Sequence, residues 1–365
     1  MTHQFMREAL QKIATGPTLS KDLSRNDACQ VMRFILEGKA DPVQAGIFLI
    51  ALRMKRETDD ELAGVLDAIN GGIETVPVAV DQLTTIVDPY DGFLRSTPAG
   101  PFLAPVLAAC GLRVLTHGVY SMGPKFGASH EMVLQAAGAS MPANKHAAVR
   151  QIEDPEIAWA YLSQAELAPE LASLTELRTR IVKRPCLTTV EVAVNALVPE
   201  KESHLVTGYV HKPYPPIYAK LANVAGFSSS TLIRGTEGGV IPSLTQSARF
   251  FHSTDGSSLA QTDLEPTFVA IDRQERAVPL PAELSNDGVR SVKEPDNPFA
   301  AALAQHAACC GLDALKGGYG YTRDALIYGG SVILHAQNAA KNLQDAARQV
   351  EAVLDDGSAL ARLCL

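Results

Sequence analysis

Between Arg113 and Gly138 the chain reads as strand, glycine-bearing loop and helix, an order that directs it toward folds with a largely parallel sheet. Val114, Leu115 and Thr116 are β-formers, and glycines stand at 118, 123 and 127. Ser129 can then accept a bond from the first free N–H groups of a helix whose core face is Met132, Val133, Leu134 and Ala136. Such a loop lets backbone N–H groups approach an anion where a helix N-terminus already concentrates positive charge. His117, Gly118, Ser121, Lys125 and Ser129 are therefore candidate phosphate-binding residues; the alternative is an ordinary strand-to-helix turn.

Upstream, residues 1–75 read as helical throughout. Ser24 caps a helix with core face Ala28, Val31, Met32, Ile35 and Leu36; Asp41-Pro42-Val43-Gln44 and Thr58-Asp59-Asp60-Glu61 open two more, the last stopped at Gly71-Gly72. Each cap contributes about 1 kcal/mol. The expected fold is α/β: a small helical bundle over 1–78, joined by helices from about 165–198, and a larger domain over 79–164 and 199–365 with a central, mostly parallel sheet. Leftover apolar faces of the bundle predict a homodimer. Strands are expected at Thr85–Val87, Leu205–Gly208 and Thr231–Ile233, helices at Phe102–Cys110 and Ile217–Ala225, and helix opened by Asp154-Pro155-Glu156, then from Leu162 to Leu197. Phe268–Ile271 reads as an antiparallel strand, followed by helices over Phe299–Cys310 and Arg323–Leu354, the latter broken.

With 46% hydrophobic and 20% charged residues the chain has material for a sizeable core, and no apolar run nears the roughly 20 residues of a membrane helix. Its start lacks the basic-then-apolar pattern of a secretory signal, so a cytoplasmic protein with all six cysteines reduced is expected. A net charge of −8 argues against a protein that coats duplex DNA, while leaving room for a local basic cleft.

Further candidates stand where strands end. Asp91 and Gly92 close Asp88-Pro89-Tyr90-Asp91-Gly92, at the carboxyl end of a strand where open sheets bind ligands; Asp91 could hold a metal-bound phosphate or simply cap its turn. His211 and Lys212 follow the next strand, and Arg234 the one after; Glu237 is expected to pair with Arg234. Arg178, Arg180, Lys183 and Arg184 form a charge run that is either a solvated face or the far wall of an anion cleft. No Walker loop, zinc spacing or Ser-His-Asp order is present.

Over nearly its whole length the sequence resembles the anthranilate phosphoribosyltransferase family. Gln44 to Thr58 is similar to that family's first helices, Thr116-His117-Gly118 through Ser129 to its Lys-His-Gly-Asn loop, and Gly317 to Asp324 to its closing Gly-x-x-Gly-Pro-x-Arg-Asp. The resemblance implies a dimeric helical bundle, an α/β domain, and a cleft that takes a sugar diphosphate with magnesium. The departures fall on the chemistry. The family's Gly-Thr-Gly-Gly-Asp-Gly stands here as Val87-Asp88-Pro89-Tyr90-Asp91-Gly92, its Asn-Ile-Ser-Thr has no counterpart in Ser96–Pro101, and its metal-binding Asp-Glu falls on Val240-Ile241. Pro89 and Tyr90 would block the close backbone approach that glycine permits. This pattern is similar to the family's divergent second branch, for which nucleic-acid binding has been proposed.

Two functions follow as expectations. In the first, a transferase scaffold holds a phosphorylated anionic ligand, with ordinary anthranilate activity lost or altered: Asp91 and Thr97 meet the donor, and Arg178, Arg184, His211 and Tyr214 the acceptor. Magnesium enters only if donor binding survives, and no protein nucleophile is expected. In the second, a non-catalytic module, the same trough binds single-stranded nucleic acid, with Tyr209, Tyr214 and Tyr218 for stacking.

Overall fold

A computed structural model describes residues 4–16, 18–284 and 294–363. Four helices open the chain: α1 (Gln4–Ile13), α2 (Arg25–Leu36), α3 (Pro42–Lys55) and α4 (Asp59–Asn70). Their starts follow the caps. Ser24 accepts from Asp27 N, Asp41 from Val43 N and Gln44 N, and Thr58 with Glu61 forms a reciprocal capping box. Glu61, fully buried, also accepts the Leu23 N–H at 2.8 Å and lies 2.7 Å from Lys55 Nζ, so one carboxylate ties α4 to the α1–α2 connection and to α3. Burial without loss is possible because each oxygen is bonded.

The chain then enters the sheet through β1 (Val76–Val78) and β2 (Gln82–Val87), followed by α5 (Leu103–Ala109), β3 (Val114–Gly118), α6 (His130–Ala136), α7 (Lys145–Glu153) and β4 (Trp159–Ser163). It returns to the bundle as α8 (Gln164–Leu167), α9 (Pro169–Ala172), α10 (Thr175–Ile181) and α11 (Leu187–Val190). β5 (Leu197–Pro199) pairs in parallel with β1, so the two crossings from bundle to sheet are stitched by one small sheet. Next come β6 (Glu202–Tyr209), α12 (Tyr214–Val224), β7 (Ser229–Arg234), β8 (Ala248–Ser253) and β9 (Ala260–Leu264). Helices α13 (Pro298–Leu315), α14 (Tyr321–Ala336), α15 (Leu343–Asp355) and α16 (Ser358–Ala361) finish the described chain.

The main sheet runs β4-β3-β2-β6-β7-β8-β9, parallel through β7 and antiparallel after it. Parallel strands must be covered on both faces, and alternation along them divides the core in two. Leu83, Val87, Leu115, Ala160, Leu162 and Leu205 join the core of the helical bundle. Ile86, Val114, Trp159, Tyr161 and Val206 join a second core with α5, α6 and the C-terminal helices.

Three expectations are corrected. Asp154 ends α7 instead of opening a helix, and the residues after it lead into β4, so the expected helical run at Leu162 starts inside a strand. Trp159–Ser163 is buried on both faces and carries no period by which to recognise it. Phe268–Ile271 is no strand: Pro266–Val269 is a 3-10 turn, ended by Ala270 at φ +57, and the antiparallel strands are β8 and β9. The break in the last helical stretch falls between α14 and α15, as expected. Cys29, Cys110, Cys186, Cys309 and Cys310 are free thiols; Cys364 lies outside the described residues.

Helices α2 and α4 meet at Gly64, where an added Cβ would stand 2.2 Å from Arg25 O and 2.9 Å from Ala28 Cβ. Backbone at that distance cannot yield without separating the helices. Gly64→Ala is therefore expected to destabilise the protein by about 1–3 kcal/mol, as overpacked cores do, read as a lower urea midpoint. An unchanged midpoint would mean that the two helices are not in this contact.

Candidate functional site

The strand order reverses between β2 and β6, one connection leaving toward β3 and the other toward β7. At such a switch point the loops after the two strands part and leave a crevice. A cavity of about 240 Å³ lies there. Pro89, Tyr90 and Asp91 form one wall, Thr207 to His211 another, and Arg53, Arg184 and Thr189 close it from the helical lobe. Two glycines make the geometry possible. Gly92 holds φ +73 with Gly127 O 2.5 Å from any added Cβ, and a Cβ on Gly208 would meet Gly238 O and Gly239 O at 2.1 Å.

Charge in the cavity is compensated internally. Arg184 donates through Nε to Asp91 Oδ2 at 3.0 Å and through Nη2 to the same oxygen; Lys125 Nζ stands 3.6 Å from Asp91 Oδ1 and 3.5 Å from Glu237 Oε2. This chain of alternating signs crosses from the helical lobe to the loop after β3 and on to the loop after β7. Arg53 donates to Thr189 Oγ1 at 2.9 Å and to Tyr214 OH at 3.4 Å. Tyr214 stacks obliquely between Tyr218 and His211, with ring centroids 5.5 and 6.3 Å away. Burial pushes the Tyr218 phenol above its usual range, so its ring stays neutral.

Beside the cavity, backbone donors that could serve an external anion already hold carboxylates. Asp88, buried, accepts Val240 N–H at 2.8 Å and His130 Nε2–H at 2.7 Å. Glu237 accepts Leu94 N–H at 3.2 Å, Arg95 N–H at 2.8 Å and the Ser96 hydroxyl at 2.8 Å. The expected Arg234–Glu237 pair is thus corrected: Arg234 is exposed at the end of β7, apart from the cavity lining.

The predicted residues divide accordingly. Asp91, Arg184, His211 and Tyr214 line one cavity, with Lys125 bonded to its edge, and Gly92 shapes the turn. Thr97 is turned away: its N–H and Oγ1–H go to Val278 O and Pro279 O. Ser121 donates to Pro295 O, and Ser129 caps α6 while donating to Tyr120 O. His117 is buried with Nδ1 2.5 Å from Tyr90 OH, and Gly118 lies under Tyr161. Arg178 is neither solvated nor in the cleft; it forms a two-pronged, fully buried pair with Glu191 at 2.6 and 2.9 Å. Tyr209 is largely buried, packed against Phe251, with part of it on the cavity wall. Arg53, Asp88, Thr189 and the resident role of Glu237 escaped sequence reading. Arg53 did leave a trace, a cation in the otherwise apolar run Ile47–Met54. Magnesium does not fit the place the family resemblance suggests: Val240 is buried and offers its N–H to Asp88, and the described residues hold no cluster of three metal-ligating side chains.

Residues 7–70 match the glycosyl transferase family helical bundle domain. An anthranilate phosphoribosyltransferase of Anaeromyxobacter sp. (strain K) is 27% identical over 98% of this chain and 97% of its own length. An uncharacterized protein of Aquifex aeolicus is 30% identical over 61% of the chain and 65% of its own. Among solved structures, anthranilate phosphoribosyltransferase from Saccharomyces cerevisiae in complex with PRPP and Mg superposes with TM-score 0.75 at 17% identity, and that from Thermus thermophilus with 0.71 at 19%; each match covers 99% of this chain and 97% of the other. These structures share the fold.

Burial pushes His117 down to about 3, so the ring stays neutral in the folded protein while the unfolded chain takes up its proton near pH 6.5. A depressed folded value means stability present above pH 6.5 and lost as the pH falls toward 3, at up to about 1.4 kcal/mol per pH unit. His117→Gln should flatten that acid slope in urea unfolding between pH 6.5 and 4.5; an unaltered slope would show that the ring is hydrated.

Proposed function

The chain belongs to the anthranilate phosphoribosyltransferase family, and from that premise we propose that its interdomain cleft holds a small phosphorylated ligand bearing a ring, with ordinary anthranilate transfer lost or altered. The observation that carries the reading is the convergence of Arg184, Lys125 and Asp91 with the Tyr214–Tyr218 wall on one cavity at the switch point. Cations supply the attraction for phosphate, and the phenol rings offer a flat apolar surface to the remainder. The altered activity is supported by the two internal carboxylates: Asp88 and Glu237 use backbone donors that a diphosphate would need, and Pro89 and Tyr90 fill the approach. Any transfer here would rely on positioning and charge stabilisation, and no residue is assigned a catalytic role.

The polyanion reading loses a group it depended on, since Arg178 is sealed in a buried pair with Glu191, and the chain is acidic. A homodimer through the bundle and a cytoplasmic location belong to the same proposal. The dimer is supported by Val43, Ile47 and Met54, exposed apolar residues spaced to share one face of α3.

Calorimetry tests the reading with two probes. Phosphoribosyl pyrophosphate with magnesium is expected to give no micromolar binding; a micromolar, metal-dependent isotherm would restore the ordinary donor site. 4-Nitrophenyl phosphate is expected to bind, and Tyr214→Ala to weaken it about tenfold, a change of about 1.4 kcal/mol. Binding indifferent to Tyr214 would remove the cleft from consideration.

A further inference from the structure

We propose that the turn Leu94–Arg95–Ser96, with the ammonium of Lys125, is a phosphoryl-binding site whose resident occupant is the Glu237 carboxylate, displaced when a phosphate monoester arrives. The proposal rests on the cleft reading above and names how an anion gains entry to it. Glu237 Oε1 accepts Arg95 N–H and the Ser96 hydroxyl at 2.8 Å each, Oε2 accepts Leu94 N–H at 3.2 Å, and Lys125 Nζ lies 3.5 Å from Oε2. Successive main-chain N–H groups backed by a hydroxyl and a cation make a concave set of donors, the arrangement by which loops hold oxyanions.

Two observations mark Glu237 as a stand-in. Its backbone sits at φ +51, a left-handed conformation that a glutamate adopts against its preference, in a turn that also contains Gly235, Gly238 and Gly239. Its carboxylate has two oxygens for four donors, and the lysine contact is the longest; a phosphoryl group brings a third oxygen to meet that ammonium. Access is provided because Glu237 itself lines the cleft cavity. Charge favours the exchange. Lys125 and Arg184 against Asp91 and Glu237 sum to zero, so withdrawal of Glu237 leaves one uncompensated cation, with the exposed Arg95 on the same turn. No bond is made or broken: one oxyanion replaces another.

Inorganic phosphate is the probe, followed by calorimetry at low salt. Glu237→Gly removes the occupant and relieves the left-handed backbone, and it is expected to bind phosphate at least tenfold more tightly than the wild type. Adding Lys125→Ala should abolish the gain, and Glu237→Gln, an uncharged occupant of equal size, should give a smaller one. Wild-type affinity in folded Glu237→Gly overturns the proposal. Where that variant does not fold, the phosphate-dependent rise in the thermal midpoint of the wild type decides: its loss in Lys125→Ala supports the site, and its persistence overturns it. Retained binding of 4-nitrophenyl phosphate without any gain in Glu237→Gly sinks this site alone. A gain in Glu237→Gly alongside cleft binding indifferent to Tyr214 sinks the functional reading alone.

Discussion

A parallel sheet cannot leave either face in water, and in this chain the two faces are covered by different partners. One face is sealed by the helices around α5, α6 and α13 to α15, the other by a bundle assembled from residues far apart in sequence. Because the bundle takes its first four helices from before the sheet and α8 to α11 from its middle, the chain crosses between lobes three times. β1 and β5 pair at the two crossings that lead from bundle to sheet. The cleft is the remainder of this arrangement: sheet and bundle pack where apolar strand positions alternate toward the bundle, and they part where the strands end and polar loops begin.

What sits in that opening follows from the cost of leaving charge uncompensated in a partly dry place. A buried carboxylate is tolerated only if hydrogen-bonded and paired. Asp88, Asp91, Glu191 and Glu237 each satisfy the condition differently: through His130 and a backbone N–H, through two cations, through a two-pronged arginine, and through three donors of one turn. Arg178–Glu191 and Arg184–Asp91 show how depth decides the role. The first pair is sealed in the helical lobe and can contribute only to its integrity. The second has a half-exposed arginine at the cavity wall, where a ligand can compete for it.

Much of the scaffold could be read from local chemistry. Capping at Ser24, Asp41 and Thr58 is settled within four residues, and so were the helices they open. β4 was not legible because a strand buried on both faces shows neither of the periods that identify elements, and Phe268 resembled a strand residue until Pro266 and the left-handed Ala270 closed a turn around it. Site residues divided by the same rule. The rim at the carboxyl ends of β2 and β6 was legible because glycines and charges cluster there. The partners were not: Asp88 meets Val240 and Glu237 meets Arg95 across more than 140 positions, and local spacing says nothing about such pairs.

The bulky turn after β2 and the internal anions beside it belong to one arrangement. Pro89 and Tyr90 fill the turn after β2, and the neighbouring N–H groups require acceptors, since unsatisfied buried donors cost about 1–3 kcal/mol each. Asp88 answers for Val240, and Glu237 for Leu94 and Arg95. The two carboxylates differ in how firmly they are held. Asp88 lies on the short path from β2, bonded to a buried histidine, and cannot leave without exposing both. Glu237 reaches its donors from a glycine-rich turn and lines the cavity, so its carboxylate is the more accessible of the two.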